Sequence, residues 1–181
     1  MGDKIGYFYA MQGVVALFMP ALMGMISDRW IPAQKLLAGC HVFSALFKAA
    51  MGYVAMTSVE SPSNEYPLLL LLYALSVAFY MPTLALSNSV SYSILEKVKL
   101  DPIQSFPSIR IFGTIGFICS MITTDILGFQ GSYMQFFLSA VLGIFAAGYA
   151  FTLPACPVSR KHQGKKWTEV LGFDAFALFK Q

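Results

Sequence analysis

Five long apolar stretches separated by short polar connections run along this chain of 181 residues. A bilayer core is about 30 Å thick and is crossed by about 20 apolar residues in helical form. Within lipid every backbone polar group must be satisfied internally, which leaves helices and closed barrels as the spanning structures. The stretches fall at about residues 5–26, 36–57, 67–95, 108–128 and 133–153. Composition agrees, because 57% of residues are hydrophobic and only 12% are charged, against about 25% charged in soluble domains. A globule of this size cannot hide so much apolar surface. The expected fold class is therefore an all-α integral membrane protein with five transmembrane helices. The first stretch is too long for a signal peptide and lacks the basic start of one.

Loop charges predict the orientation. Arg29 and Lys35 follow the first span, Lys97 and Lys99 the third, and Arg160, Lys161, Lys165 and Lys166 the fifth. The intervening connections carry only Glu60 and Glu65, or no charge. Basic loops stay on the cytoplasmic side, which puts the N-terminus outside and the C-terminus inside. An outside start without a preceding span suggests a helix missing before residue 1. Residues 1–154 read as the membrane bundle, and 155–181 as a cytoplasmic linker that ends in a short interfacial helix rich in aromatic residues.

Several function classes find no support. A net charge of +3 is too small to argue for nucleic acid as a partner. Cys40, Cys119 and Cys156 have no metal-ligand spacing, so no metal and no cofactor is expected. There is no Ser/His/Asp set and no Gly-rich phosphate loop between strand and helix, which argues against an enzyme.

The polar residues within the apolar stretches are more informative. A charge at the centre of a membrane helix costs about 2.5–3.5 kcal/mol on insertion scales, and such residues mark permeation pathways by default. Arg110 lies in Phe106-Pro107-Ser108-Ile109-Arg110-Ile111-Phe112-Gly113-Thr114-Ile115-Gly116-Phe117. Arg110, Thr114 and Phe117 follow i, i+4, i+7 spacing and share one helical stripe. Two readings of the stripe stand side by side. Either it lines a cavity, or Arg110 snorkels to the cytoplasmic edge while Thr114 packs between helices. Asn88, Ser91 and Tyr92 at i, i+3, i+4, with Gln12 in the first span, are further cavity-lining candidates, and interhelical hydrogen bonding is the competing role. His41 reads as a packing or interface residue. Lys48, near the middle of the second span, is expected either to pair with an acid in the bundle or to be peculiar to this sequence. Pro20 and Pro82 sit in similar contexts, Phe18-Met19-Pro20-Ala21-Leu22 and Tyr80-Met81-Pro82-Thr83-Leu84. Interrupted helices and weak internal repeats are common in transporter folds.

The loop after the first span reads Gly24-Met25-Ile26-Ser27-Asp28-Arg29. It resembles the G-x-x-x-D-[RK] signature of the major facilitator superfamily between its second and third helices. The loop departs from that signature afterwards, because Trp30 to Lys35 lacks the usual glycine and paired basic residues. Gly24 would permit close helix approach, Asp28 would face the positive end of another helix, and Arg29 would add cytoplasmic charge. These three are the candidate gating residues. Together with the two proline blocks, the stretch from Phe106 to Phe117, Thr152-Leu153-Pro154 and the run from Leu171 to Phe179, the chain resembles the nucleoside:proton symporter branch of that superfamily.

The resemblance implies that the five spans are helices two to six of a twelve-helix transporter, a partial N-terminal half. The missing first helix and the C-terminal half would be its partners, beside the lipid bilayer. It further implies nucleoside and proton as permeants, a cell inner membrane location, and a binding role for Arg110, Thr114 and Phe117. Arginine offers fixed donors to base or sugar oxygens, threonine donates and accepts, and phenylalanine offers a face for the base. An arginine keeps its proton, so the coupling carboxylate is expected in the C-terminal half. The alternatives are a membrane fragment that does not itself transport, and a transporter of another solute such as a sugar.

Overall fold

The computed structural model describes residues 2–58 and 65–156. The expected interfacial helix at the C-terminal end lies outside the described residues. Five helices follow one another: α1 (Gly2–Arg29), α2 (Ala33–Thr57), α3 (Tyr66–Lys97), α4 (Pro102–Ile126) and α5 (Met134–Thr152). Each is long and apolar enough to cross a membrane, and no strand occurs among the described residues. Of the sequential pairs only α2 and α3 pack extensively.

The helix ends follow local chemistry. At the end of α3, Lys99 adopts a left-handed φ of 59°, and the Leu100 N–H returns to the Leu95 carbonyl at 3.0 Å. Asp101 then caps α4, its Oδ1 accepting from the Ile103 N–H at 3.0 Å, with Pro102 in the first turn. An acid at the cap and a proline just inside it suit the unsatisfied first-turn donors. α4 thus starts well ahead of its apolar run. At the other end Gly128 takes a φ of 67°, and its N–H donates to the Asp125 carbonyl at 2.9 Å.

Lipid is as apolar as leucine, so helices in a membrane associate by close packing of small residues. α2 lies at the centre of the bundle, against both α3 and α5. On the α5 side, a Cβ built on Gly52 would come within 3.0 Å of the Phe137 ring, and one on Gly143 within 3.1 Å of Ala45 Cβ. Ala38, Ala45 and Gly52 recur every seven residues along α2, and buried Ala140, Ala147 and Ala150 face inward from α5. On the α3 side, Phe43 and Phe47 stack on Phe79 with centroids 5.0 and 5.9 Å apart. Buried Ser44 and Ser76 bring their hydroxyl oxygens to 3.5 Å.

A buried cluster of Ala33, Leu37, Ala38, Cys40, Leu86, Val90, Ala150 and Cys156 closes the end where α2 begins and α3 and α5 finish. There the buried Gln34 Oε1 accepts from the Cys156 N–H at 3.0 Å and ties the chain after α5 to the start of α2. α1 packs mainly on α3, with Phe8 edge-on to Tyr66 and Tyr73. α4 touches α3 sparsely, and no α4 residue is buried.

Candidate functional site

The sparse contact between α3 and α4 leaves a hollow of about 600 Å³. Arg110, Thr114 and Phe117 all line it from α4, together with Phe106 and Gly113. At 1.5 Å per residue, Arg110 stands about 12 Å along the axis from Pro102, Thr114 about 6 Å further, and Phe117 about 10 Å beyond Arg110. The stripe therefore runs from the edge towards the middle of a membrane-length helix, beside the hollow. Opposite, α3 contributes Tyr80, Leu84, Ser87, Asn88 and Ser91, which follow the i, i+4, i+7, i+8, i+11 pattern of one helix face.

The hydrogen-bond inventory divides these groups. Ser91 Oγ donates to the Ser87 carbonyl at 2.8 Å, and Ser87 Oγ to the Leu84 carbonyl at 3.0 Å. Both hydroxyls spend their protons on their own helix and present acceptor lone pairs. Thr114 Oγ1 reaches the Arg110 carbonyl only at 3.5 Å, a long contact that leaves its proton available. Among the described residues the Arg110 guanidinium and the Asn88 amide make no hydrogen bond or ion pair. A fork of five N–H donors thus stands exposed at a hollow with no internal partner.

Tyr92 is placed differently from the expectation. It does not line the hollow; its ring stacks on Phe106 with centroids 4.4 Å apart and an interplanar angle of 21°. The pair bridges α3 and α4 at the end of the hollow nearest their connection. Phe106 lies one turn before Arg110 on the same stripe, so extending the spacing back four residues would have found it. Tyr80 was recognisable only as the neighbour of a proline. Pro82 is fully buried and removes the N–H that would bond the Ala78 carbonyl, while Thr83 Oγ1 donates to the Tyr80 carbonyl at 2.6 Å.

Gln12 lies elsewhere. Its Oε1 accepts from the Tyr73 hydroxyl at 3.0 Å, beside a second hollow that also holds Lys48. Of the two readings of Lys48, pairing with an acid is not seen among the described residues; its Nζ lies 4.6 Å from the Tyr80 ring centroid. His41 is half-buried, and its carbonyl lies 3.7 Å from where a Gly143 Cβ would sit. At the α1–α2 connection Asp28 is exposed, and Arg29 lines a small apolar recess with Leu22, Met25, Ile26 and Trp30. The close approach expected at Gly24 is not made within this chain, because a Cβ there would meet no atom within 4 Å. The reason is that α1 leans on α3 and touches α2 little.

A bundle of lipid-length helices with a cation-bearing hollow between two of them defines a multi-pass membrane protein. Comparison with known proteins makes this specific: the family described as nucleoside H+ symporter matches residues 1–181, and the chain belongs to that family. It is 40% identical over 181 residues to nucleoside permease NupG of Escherichia coli, covering 99% of this chain and 41% of that protein. It is 39% identical to xanthosine permease of the same species, with the same coverage. A crystal structure of the nucleoside transporter NupG superposes with a TM-score of 0.78, and one of a NupG mutant with 0.86. Both are 37% identical to this chain and are matched over 99% of it and 42% of their own length. The fold is thus that of five helices of the major facilitator superfamily, and the chain spans about 41% of the length of the relatives it matches.

Proposed function

We propose that this chain supplies five helices of a permease that moves nucleosides across the cell's inner membrane together with protons. Arg110, Thr114 and Phe117 hold the nucleoside in the hollow between α3 and α4. One observation carries this reading: the three stripe residues flank a single hollow, and the Arg110 donors facing it have no partner within the described residues.

The chemistry follows from the groups present. The guanidinium donates to the carbonyl oxygens of a base or to sugar oxygens, and the Thr114 hydroxyl donates or accepts alongside it. Phe117, and Phe106 at the other end of the stripe, offer flat faces; stacking of a base on an aromatic ring is worth about 1–3 kcal/mol in nucleic-acid sites. The acceptor lone pairs of Ser87 and Ser91 and the amide of Asn88 face the stripe from α3 and complement ribose hydroxyls. Neither helix lines the hollow with a carboxylate, which supports a proton-coupling carboxylate in the C-terminal half of the permease. Asp28 and Arg29 lie at the end of α1 that loop charge assigns to the cytoplasm. They act there as gating residues, with the N-terminus outside.

The test uses the full-length permease containing this chain, in energised membrane vesicles. Labelled uridine should accumulate under an inwardly directed proton gradient and stop accumulating when a protonophore is added. Unlabelled adenosine should compete for it. Uptake of a sugar that nucleosides do not inhibit would contradict the reading.

A further inference from the structure

A second hollow, of about 320 Å³, lies between α1, α2, α3 and α5 and is lined by Lys48, Gln12, Tyr73, Ser76, Tyr80 and Gln135, among others. Its volume is at the lower end of the range for small-molecule sites. Lys48 stands about 22 Å along α2 from Ala33, deep in the membrane, where an uncompensated ammonium is costly. No carboxylate pairs with it among the described residues; its Nζ is held over the Tyr80 ring at 4.6 Å. The Tyr73 hydroxyl occupies Gln12 Oε1 at 3.0 Å, which leaves the Gln12 amino group to donate elsewhere. Ser139 and Phe136 from α5 complete the wall.

The hollow thus has mainly apolar walls, with the Lys48 ammonium and the Gln12 amide as polar groups and the Tyr73 and Tyr80 rings beside them. An ammonium donor among apolar and aromatic side chains suits a flat ring that bears an oxygen acceptor. Tyr80 lines this hollow and the Arg110 hollow alike, so the two meet at one ring. The residues lining the second hollow lie towards the start of α3 and α5, the side that loop charge assigns to the exterior; those of the Arg110 hollow lie towards the other.

We propose that the Lys48 hollow is an outer binding station for the permeant, with Lys48 as its principal donor and Tyr80 as the ring it shares with the Arg110 hollow. This rests on the nucleoside reading given under Proposed function. Lys48 would contact the permeant before Arg110 does and hold Tyr80 between the two stations.

The experiment separates the stations by protection from labelling. Ser139→Cys is introduced into the full-length permease on a Cys119→Ser background, since Cys119 is exposed whereas Cys40 and Cys156 are buried. A membrane-impermeant maleimide is added from outside, with and without uridine. Uridine should slow labelling, and should still do so after Arg110→Met. Lys48→Met should raise the uridine concentration that protects by about tenfold or more, the loss expected for a hydrogen bond from a charged donor. Lys48→Arg, which keeps the charge over Tyr80, should restore protection to within about threefold of the parent. Restoration by arginine excludes mere misfolding of the methionine variant. Protection that vanishes with Arg110→Met and ignores Lys48→Met would overturn the outer station and leave the nucleoside reading intact. Absence of both uridine uptake and uridine protection in the parent would overturn the two together.

Discussion

α2 and α4 are each 25 residues long and apolar enough to cross a membrane, yet their surroundings are opposite. α2 buries nine residues, most of them small or polar, against helices on two sides. α4 buries none and meets α3 sparsely, with Tyr92 of α3 stacked on Phe106 of α4. The first is a structural spine, where a missing Cβ at Gly52 or an alanine facing Gly143 sets how closely helices approach. The second is a side wall, whose polar stripe has a hollow beside it. The comparison teaches that this membrane protein concentrates its packing in one helix and leaves the polar stripe of another beside an open hollow. The same type of residue, a glycine for instance, therefore carries different consequences in each.

The largest expected effect breaks the wall and spares the spine. Arg110→Met should lower the kcat/KM for uridine uptake by about a hundredfold, because it removes charge-assisted hydrogen bonds to the permeant. The protein should accumulate normally in membranes. Uptake kinetics together with immunoblotting of the membrane fraction check both halves of the prediction. Next in size, Gly52→Val should destabilise the 181-residue chain by about 1–3 kcal/mol, because the added atoms meet Phe137 and overpacking is accommodated poorly. Denaturation followed by circular dichroism in mild detergent measures it.

Thr114→Val keeps shape and loses the hydroxyl. It should raise the KM for uridine by about five- to tenfold, and Thr114→Ser should recover most of the loss. The smallest effect sharpens the contrast from the opposite side. A Cβ at Gly116 would meet no atom within 4 Å, so Gly116→Ala should change the stability of the same chain by less than about 0.5 kcal/mol, read in the denaturation assay used for Gly52→Val. Equal losses at Gly52 and Gly116 would erase the distinction between spine and wall.

Much of this organisation is legible in the sequence. Hydropathy gives five helices because lipid requires a run of apolar residues of fixed length. The i, i+4, i+7 spacing of Arg110, Thr114 and Phe117 places them on one face whatever the helix packs against. What hydropathy does not reveal is rotation. A helix face turned to lipid and one turned to a neighbouring helix are both apolar, so pattern alone does not say which side of α3 meets α2. For that reason Tyr92 could not be told apart from Asn88 and Ser91, which share its neighbourhood in sequence. Gln12 could not be assigned to one hollow rather than another. Lys48 reads from sequence either as one half of an ion pair or as peculiar to this chain, whereas its neighbour is an aromatic ring 32 residues away, on α3. Gly24 shows the reverse case, in which a recognisable motif residue makes no close approach within this chain.

The central claim is that the α4 stripe touches the nucleoside, and photo-cross-linking tests it most directly. An azido-substituted uridine, irradiated with the full-length permease and mapped by mass spectrometry, should attach within residues 106–117 and be displaced by excess uridine. Attachment that uridine displaces but that leaves residues 106–117 unlabelled would contradict the claim that the α4 stripe touches the nucleoside.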